Sequence, residues 1–104
     1  MPLIDIAGKQ INVNEEGFLT VPTEWTEEIA KVLAEQVGVP MTDRHWEVIK
    51  FLREDFALLG ESSTSRHTQT VGGFPIKEQF ELFPKKPAKK MAYIAGLPKP
   101  KGCV

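Results

Sequence analysis

One cysteine stands among the 104 residues, no apolar run exceeds a few residues, and no basic residue precedes Lys9. A lone thiol, Cys103, cannot close an internal disulfide or supply a cysteine-rich metal site, and the two histidines do not complete a metal-ligand spacing. No metal site and no cofactor are expected. A membrane span needs about 20 consecutive apolar residues, and the opening MPLIDIAGK lacks the basic start and hydrophobic core of a secretory signal. The expectation is a chain of the reducing cytoplasm with no membrane partner. No Ser/His/Asp set or carboxylate pair stands out, and Gly72-Gly73 lacks the strand-to-helix context of a phosphate loop.

What is present fits one soluble domain spanning residues 1–104, with 41% hydrophobic and 26% charged residues. The net charge of −1 conceals an asymmetry. All 14 acids lie within residues 1–83, together with only seven lysines and arginines. Beyond them come Lys85, Lys86, Lys89, Lys90, Lys99 and Lys101 with no acid, a cationic segment on an anionic body. This segment either docks on the protein's own acids or faces a partner. Direct nucleic-acid binding is not expected, because neither an arginine cluster nor an aromatic-interleaved groove accompanies the lysines.

The pattern predicts a mainly α (α+β) fold: a small orthogonal helical bundle with an N-terminal β-hairpin and an extended C-terminal arm. Ile4/Ile6 and Ile11/Val13 alternate around Ala7-Gly8-Lys9, which predicts a hairpin region over residues 1–20. A bundle over 21–96 must cover it, since an isolated hairpin is marginal in water. Thr26 is the expected N-cap of a helix to Val37, with Ile29, Val32, Leu33 and Val37 facing inward and Gly38 as its stop. Thr42 caps a long helix to Leu59, whose apolar face runs through Trp46, Ile49, Leu52, Phe56 and Leu59 and is widened by Val48 and Phe51. Residues 61–73 are polar and glycine-ended and are expected to form a mobile loop. Short helices follow from Ile76 to Phe83 and from Ala88 to Ala95, with Gly96 as the final stop. His45 reads as a packing or capping histidine, Arg66 and His67 as loop residues, and Trp25 and Trp46 as core or core-edge aromatics.

Residues 97–104 form a flexible arm. Pro98 and Pro100 forbid helix and favour a polyproline-like course of about 3.1 Å per residue, reaching roughly 20–25 Å. The arm can carry Cys103 away from the body or fold it back. Gly102 leaves the thiol unobstructed, while Lys99 and Lys101 favour the thiolate and the carboxylate at Val104 opposes them. Together these residues point to a reactive thiol.

The run Ala95-Gly96-Leu97-Pro98-Lys99-Pro100-Lys101-Gly102-Cys103-Val104 resembles the C-terminal arm of the DsrC/TusE sulfur-relay family, named also for the gamma subunit of dissimilatory sulfite reductase. The likeness continues in Glu16-Gly17-Phe18-Leu19, in Trp25, in His45-Trp46-Glu47-Val48-Ile49 with Phe51-Leu52-Arg53, and in Leu82-Phe83-Pro84 with Pro87-Ala88-Lys89. It implies a sulfur-relay carrier, of sulfurtransferase type without independent turnover, in which Cys103 receives sulfane sulfur as a persulfide and passes it on. Implied partners are a TusBCD- or DsrEFH-like protein donor and an acceptor enzyme of tRNA 2-thiolation or of sulfur energy metabolism. In members that serve dissimilatory sulfite reductase, a second cysteine stands eleven positions earlier. That position is Ala92 here, so the chain resembles the single-cysteine, TusE-like branch. The family's arginine in the segment before the second half of the bundle falls on Arg66, which becomes a candidate arm anchor. Two alternatives stay open: a gamma-subunit partner of a sulfite-reductase complex, and a regulatory DNA-binding or redox-sensing module.

Overall fold

Alternating apolar residues and a tight turn begin the chain. In the computed structural model, which describes residues 3–100, strands β1 (Leu3–Ile6) and β2 (Lys9–Asn12) pair antiparallel with Ile6 opposite Lys9. Ala7 and Gly8 both take positive φ, the primed-turn geometry that matches strand twist. Ile6 and Ile11 turn inward, and Val13 joins them by bridging to Leu19. Ile4, expected on the same inner face, is instead 39% exposed, although Ile11 opposite it is buried, so the body covers β2 more fully than β1. Glu24, in a short 3-10 turn over Pro22–Glu24, accepts from the Asn12 backbone and side-chain amides at 2.9 Å each, fastening the hairpin to the chain just ahead of the first α-helix.

Helix α1 (Glu27–Gln36) begins where Thr26 accepts from the Ile29 amide, and its stop is a Schellman motif around Gly38. Its buried face is Ile29, Ala30, Leu33 and Ala34, with Val32 and Val37 only half-buried. Helix α2 (Asp43–Leu59) is the longest element and ends at Gly60 in left-handed geometry. His45 proves to be a buried capping residue. Its Nδ1 accepts from the Thr42 amide at 3.1 Å, so its Nε2 carries the proton and donates to the Leu82 carbonyl at 2.7 Å. One imidazole thus satisfies the start of α2 and the end of a later helix while its edge meets Phe83. Leu59, expected on the apolar face, is exposed together with Leu58, and the buried residue of that last stretch is Asp55.

The segment expected to be a mobile loop instead contains helix α3 (Ser65–Thr70). Several of its polar residues find partners within the protein. Thr64 accepts from the His67 amide as N-cap, Ser63 and Thr68 share a buried hydroxyl contact of 2.7 Å, and His67 Nε2 lies 2.9 Å from the Asp55 carboxylate on α2. Polarity predicted solvation here, but hydroxyls and an imidazole can satisfy a short helix from within. Helix α4 (Ile76–Leu82) follows Pro75, and α5 (Pro87–Ile94) begins at a proline as expected.

The core has two parts. The larger unites Val48, Ile49 and Leu52 of α2 with Phe83 and with Met91, Ala92 and Ile94 of α5; the smaller joins the hairpin to Ile29 and Leu33 of α1. Trp25 and Tyr93 touch both, so the residues that tie hairpin to bundle also flank the last helix. Among the described residues no helix is long and apolar enough to cross a membrane, and no cluster of potential metal ligands occurs.

Candidate functional site

The arm leaves the body at the end of α5, and this departure point is built with unusual economy. Gly96 has φ +72°, and a Schellman motif closes the helix: the Gly96 amide donates to Tyr93 O at 3.3 Å and the Leu97 amide to Ala92 O at 3.0 Å. Carbonyls of the last turn that this motif leaves open are taken by side chains from elsewhere. Trp25 Nε1 donates to Ile94 O at 2.8 Å. Arg53 on α2 donates through one guanidinium nitrogen to Ala95 O at 2.7 Å and through another to Pro22 O at 3.0 Å. The same guanidinium lies 4.2 Å from the centre of the Trp25 ring, and burial pushes its pKa below the ordinary value without discharging it near neutrality. A planar cation on an indole therefore bridges the segment before α1, α2 and the root of the arm.

Trp25 also limits what can stand at the root. A Cβ added to Gly96 would lie 2.4 Å from Trp25 Cδ1 and 2.8 Å from its Cβ and Cγ. The glycine thus answers both a left-handed backbone and a ring packed against it.

The first arm residues do not swing free. Leu97 and Pro100 are buried, Pro98 is exposed, and Ser62 Oγ donates a short hydrogen bond to Pro98 O. Lys99 Nζ lies 3.4 Å from Glu16 Oε2, the oxygen that Lys89 Nζ also approaches at 3.5 Å. The flexible stretch expected to begin at residue 97 is therefore held against the body through Pro100. Among the described residues, Lys89 and Lys99 of the basic segment meet the protein's own acid at Glu16.

Arg66 lies exposed on α3, and among the described residues its side chain has no hydrogen bond or ion pair to the arm. The contacts that hold the described part of the arm come from Arg53, Trp25, Ser62 and Glu16 instead. Lys101, Gly102, Cys103 and Val104 lie outside the described residues.

Two of these contributors, Trp25 and Arg53, stand among the residues that carry the family resemblance, but nothing local gives them this role. Trp25 stands one residue before a helix cap and reads as a core or core-edge aromatic. Their partner carbonyls belong to residues 94 and 95, and only the fold brings them together. Gly96 was legible as a helix stop, but its contact with the indole was not.

The sequence and the fold of this chain have counterparts among known proteins. The family model of the DsrC like protein matches residues 5–104. The chain belongs to the DsrC-like family. It is 36% identical to sulfurtransferase TusE of Yersinia pestis over 98% of this chain and 100% of that one. Against sulfurtransferase TusE of Escherichia coli (strain K12) the identity is again 36%, with 93% and 95% covered. Among solved structures, the NMR structure of Allochromatium vinosum DsrC superposes with a TM-score of 0.84 at 38% identity, covering 98% and 97% of the two chains. The crystal structure of the oxidized gamma subunit of dissimilatory sulfite reductase (DsrC) from Archaeoglobus fulgidus gives 0.80 at 36%, covering 99% and 100%.

Within this DsrC-like chain, Ala92 is buried in the larger core cluster, and its carbonyl receives the Leu97 amide. With Cys103 as the single cysteine, no disulfide can form inside the chain. Replacing Trp25 by phenylalanine should keep a ring beneath Arg53 but orphan Ile94 O. The expected loss is about 1–2 kcal/mol of stability, read by calorimetric unfolding.

Proposed function

We propose that this chain is a sulfur-relay carrier whose Cys103 accepts sulfane sulfur from a protein donor and yields it to an acceptor enzyme. The observation that carries the reading is the match of the family over residues 5–104, which includes the cysteine-bearing arm, to relatives named sulfurtransferase TusE. The fixed root supports it. A carrier must present one thiol to two different partners, and an arm anchored at Gly96, Trp25 and Arg53 gives up less conformational freedom on insertion than a free tail would. Pro98 and Pro100 limit that freedom further.

In the proposed exchange the Cys103 thiolate attacks the outer sulfur of a donor persulfide. The donor S–S bond breaks, the donor leaves as a thiolate, and Cys103 becomes Cys–S–SH. A thiolate on the acceptor then attacks that outer sulfur and Cys103 returns to its thiolate. The sulfane sulfur keeps its oxidation state throughout, so neither an external reductant nor a cofactor enters the balance. Lys99 and Lys101 favour the anionic forms. Lys99 shares part of its charge with Glu16 while the arm rests on the body. Partners of the sulfur-relay class, in a soluble compartment, follow from the same reading. The single cysteine favours this carrier role over that of a sulfite-reductase gamma subunit with two arm thiols. The acidic charges on α2 disfavour a DNA-binding module.

Intact-mass spectrometry after incubation with a sulfur-loaded donor relay tests the proposal. Wild type should gain one sulfur atom that reductant removes, and Cys103→Ser should gain none. Absence of the gain in wild type across several donors, or an equal gain in Cys103→Ser, would overturn it.

A further inference from the structure

On the face beside the arm, a groove of about 450 Å³ has Phe18, Val37 and Tyr93 in its lining and Lys85, Lys86, Lys89 and Lys90 around it, with Glu16 at the lip. Lys85 and Lys86 are exposed and hold positive φ at 59° and 40°, a backbone conformation that side-chain-bearing residues rarely adopt. Among the described residues neither has an ion-pair partner. Lys90 donates to Pro84 O, and Lys89 meets Glu16. Four of the 13 lysines and arginines of an otherwise acidic chain are thus gathered round apolar side chains.

Chemistry narrows the occupant. Glu16 already places a carboxylate oxygen 3.5 Å from Lys89 and 3.4 Å from Lys99, so the rim takes carboxylates. No arginine lines the groove to fork onto a phosphate backbone, and Phe18 is 1% exposed, so of the three apolar residues only Val37 and Tyr93 present surface to an occupant. The Tyr93 phenol is uncharged at neutral pH, and burial raises its pKa further. Four spread ammonium groups around an apolar floor fit a chain segment better than a small anion, which needs donors converging on one point.

We infer that this groove is a docking surface for an acidic protein segment that seats an apolar side chain against Val37 and Tyr93 and pairs its carboxylates with Lys85, Lys86, Lys89 and Lys90. The inference rests on the carrier reading, since it places the docked partner at the lip where Glu16 holds Lys99 of the arm. Acidic side chains arriving there compete with Glu16 for Lys89, so that docking and the seating of the arm share a contact.

The test titrates the full chain, isotopically labelled, with a glutamate-rich peptide carrying one phenylalanine. A second peptide with serine in place of the phenylalanine and a single-stranded RNA oligonucleotide serve as comparisons. Amide shifts should concentrate at Phe18, Val37, Lys86, Lys89 and Tyr93, weaken with salt, and require the phenylalanine for full affinity. Charge reversal in Lys86→Glu/Lys89→Glu should weaken peptide binding roughly tenfold, and the neutral Lys86→Gln/Lys89→Gln pair gives the same sign if the reversed form does not fold. Shifts elsewhere, affinity indifferent to both substitutions, or tighter binding of the RNA at these residues would each overturn the inference. The carrier reading is checked apart from it, by loading wild-type Cys103 with inorganic polysulfide, so failure of one is distinguishable from failure of the other.

Discussion

Gly96→Ala is expected to lower the unfolding midpoint by roughly 10–25 °C. Two terms combine. An alanine at φ +72° carries about 1 kcal/mol of left-handed strain. Its methyl would also stand 2.4–2.8 Å from three Trp25 atoms, distances that ordinary contacts do not reach. Trp25 cannot withdraw without surrendering its bond to Ile94 O and the face on which Arg53 lies, so relief of the clash adds about 1–3 kcal/mol. Gly60 supplies the control. It has the same φ of +72° at the end of α2 with nothing within 4 Å of an added Cβ, so Gly60→Ala should show the strain alone. Equal losses in the two variants, measured by calorimetry, would remove the Trp25 contact from the account. Sulfur acceptance by Cys103 from a protein donor should fall in Gly96→Ala beyond any loss of folded protein, because the arm's root is displaced.

Signals in the sequence separate by their range. Local signals were readable: Thr26 and Thr42 as caps, Gly38, Gly60 and Gly96 as stops, Ala7-Gly8 as a hairpin turn. Each acts through the backbone of its own few residues. The face of α1 was only partly readable, since period alone favoured large Val32 and Val37 over Ala30 and Ala34, which sit where other elements approach most closely. Segment 61–73 misled because composition reports affinity for water but not the alternative partners a fold provides, here Asp55 for His67 and Ser63 for Thr68. The candidate site divides the same way. The thiol, lysines and prolines of the arm lie in one run and were legible together, whereas Trp25, Arg53, Ser62 and Glu16 come from four separate places and meet the arm only in three dimensions.

This division has a physical reason on the proposed carrier reading. An arm that partners recognise as a linear element would have its chemistry written contiguously, and a root that resists being pulled when the thiol enters another protein would draw that resistance from long-range contacts. The root therefore couples to the body's core through Trp25, which packs against both clusters.

Arg53→Met is expected to cost about 2–4 kcal/mol, close to the Gly96 substitution in effect but by an independent route. Removal of the guanidinium leaves Ala95 O without its donor, at about 1–3 kcal/mol if that carbonyl stays buried; Pro22 O loses one of two donors and keeps the Trp25 amide at 3.2 Å, and a cation stacked on Trp25 is removed. Part of this is offset, because the guanidinium is itself desolvated in the folded chain and the thioether retains some packing on the indole. Arg53→Lys should recover no more than about half of the loss, since an ammonium is a point donor that cannot reach two carbonyls in the fork geometry or lie flat on a ring. Because Arg53 and Trp25 act on adjacent carbonyls, Arg53→Met and Trp25→Phe should be non-additive, with a coupling of about 0.5–3 kcal/mol in a double-mutant cycle. Native-state hydrogen exchange gives the decisive readout: the Leu97 amide, bonded to Ala92 O, should exchange much faster in Arg53→Met, while the amides of α1 change only with global stability. Exchange at Leu97 that merely follows global stability would make Arg53 an ordinary packing residue and deny it a part in holding the arm.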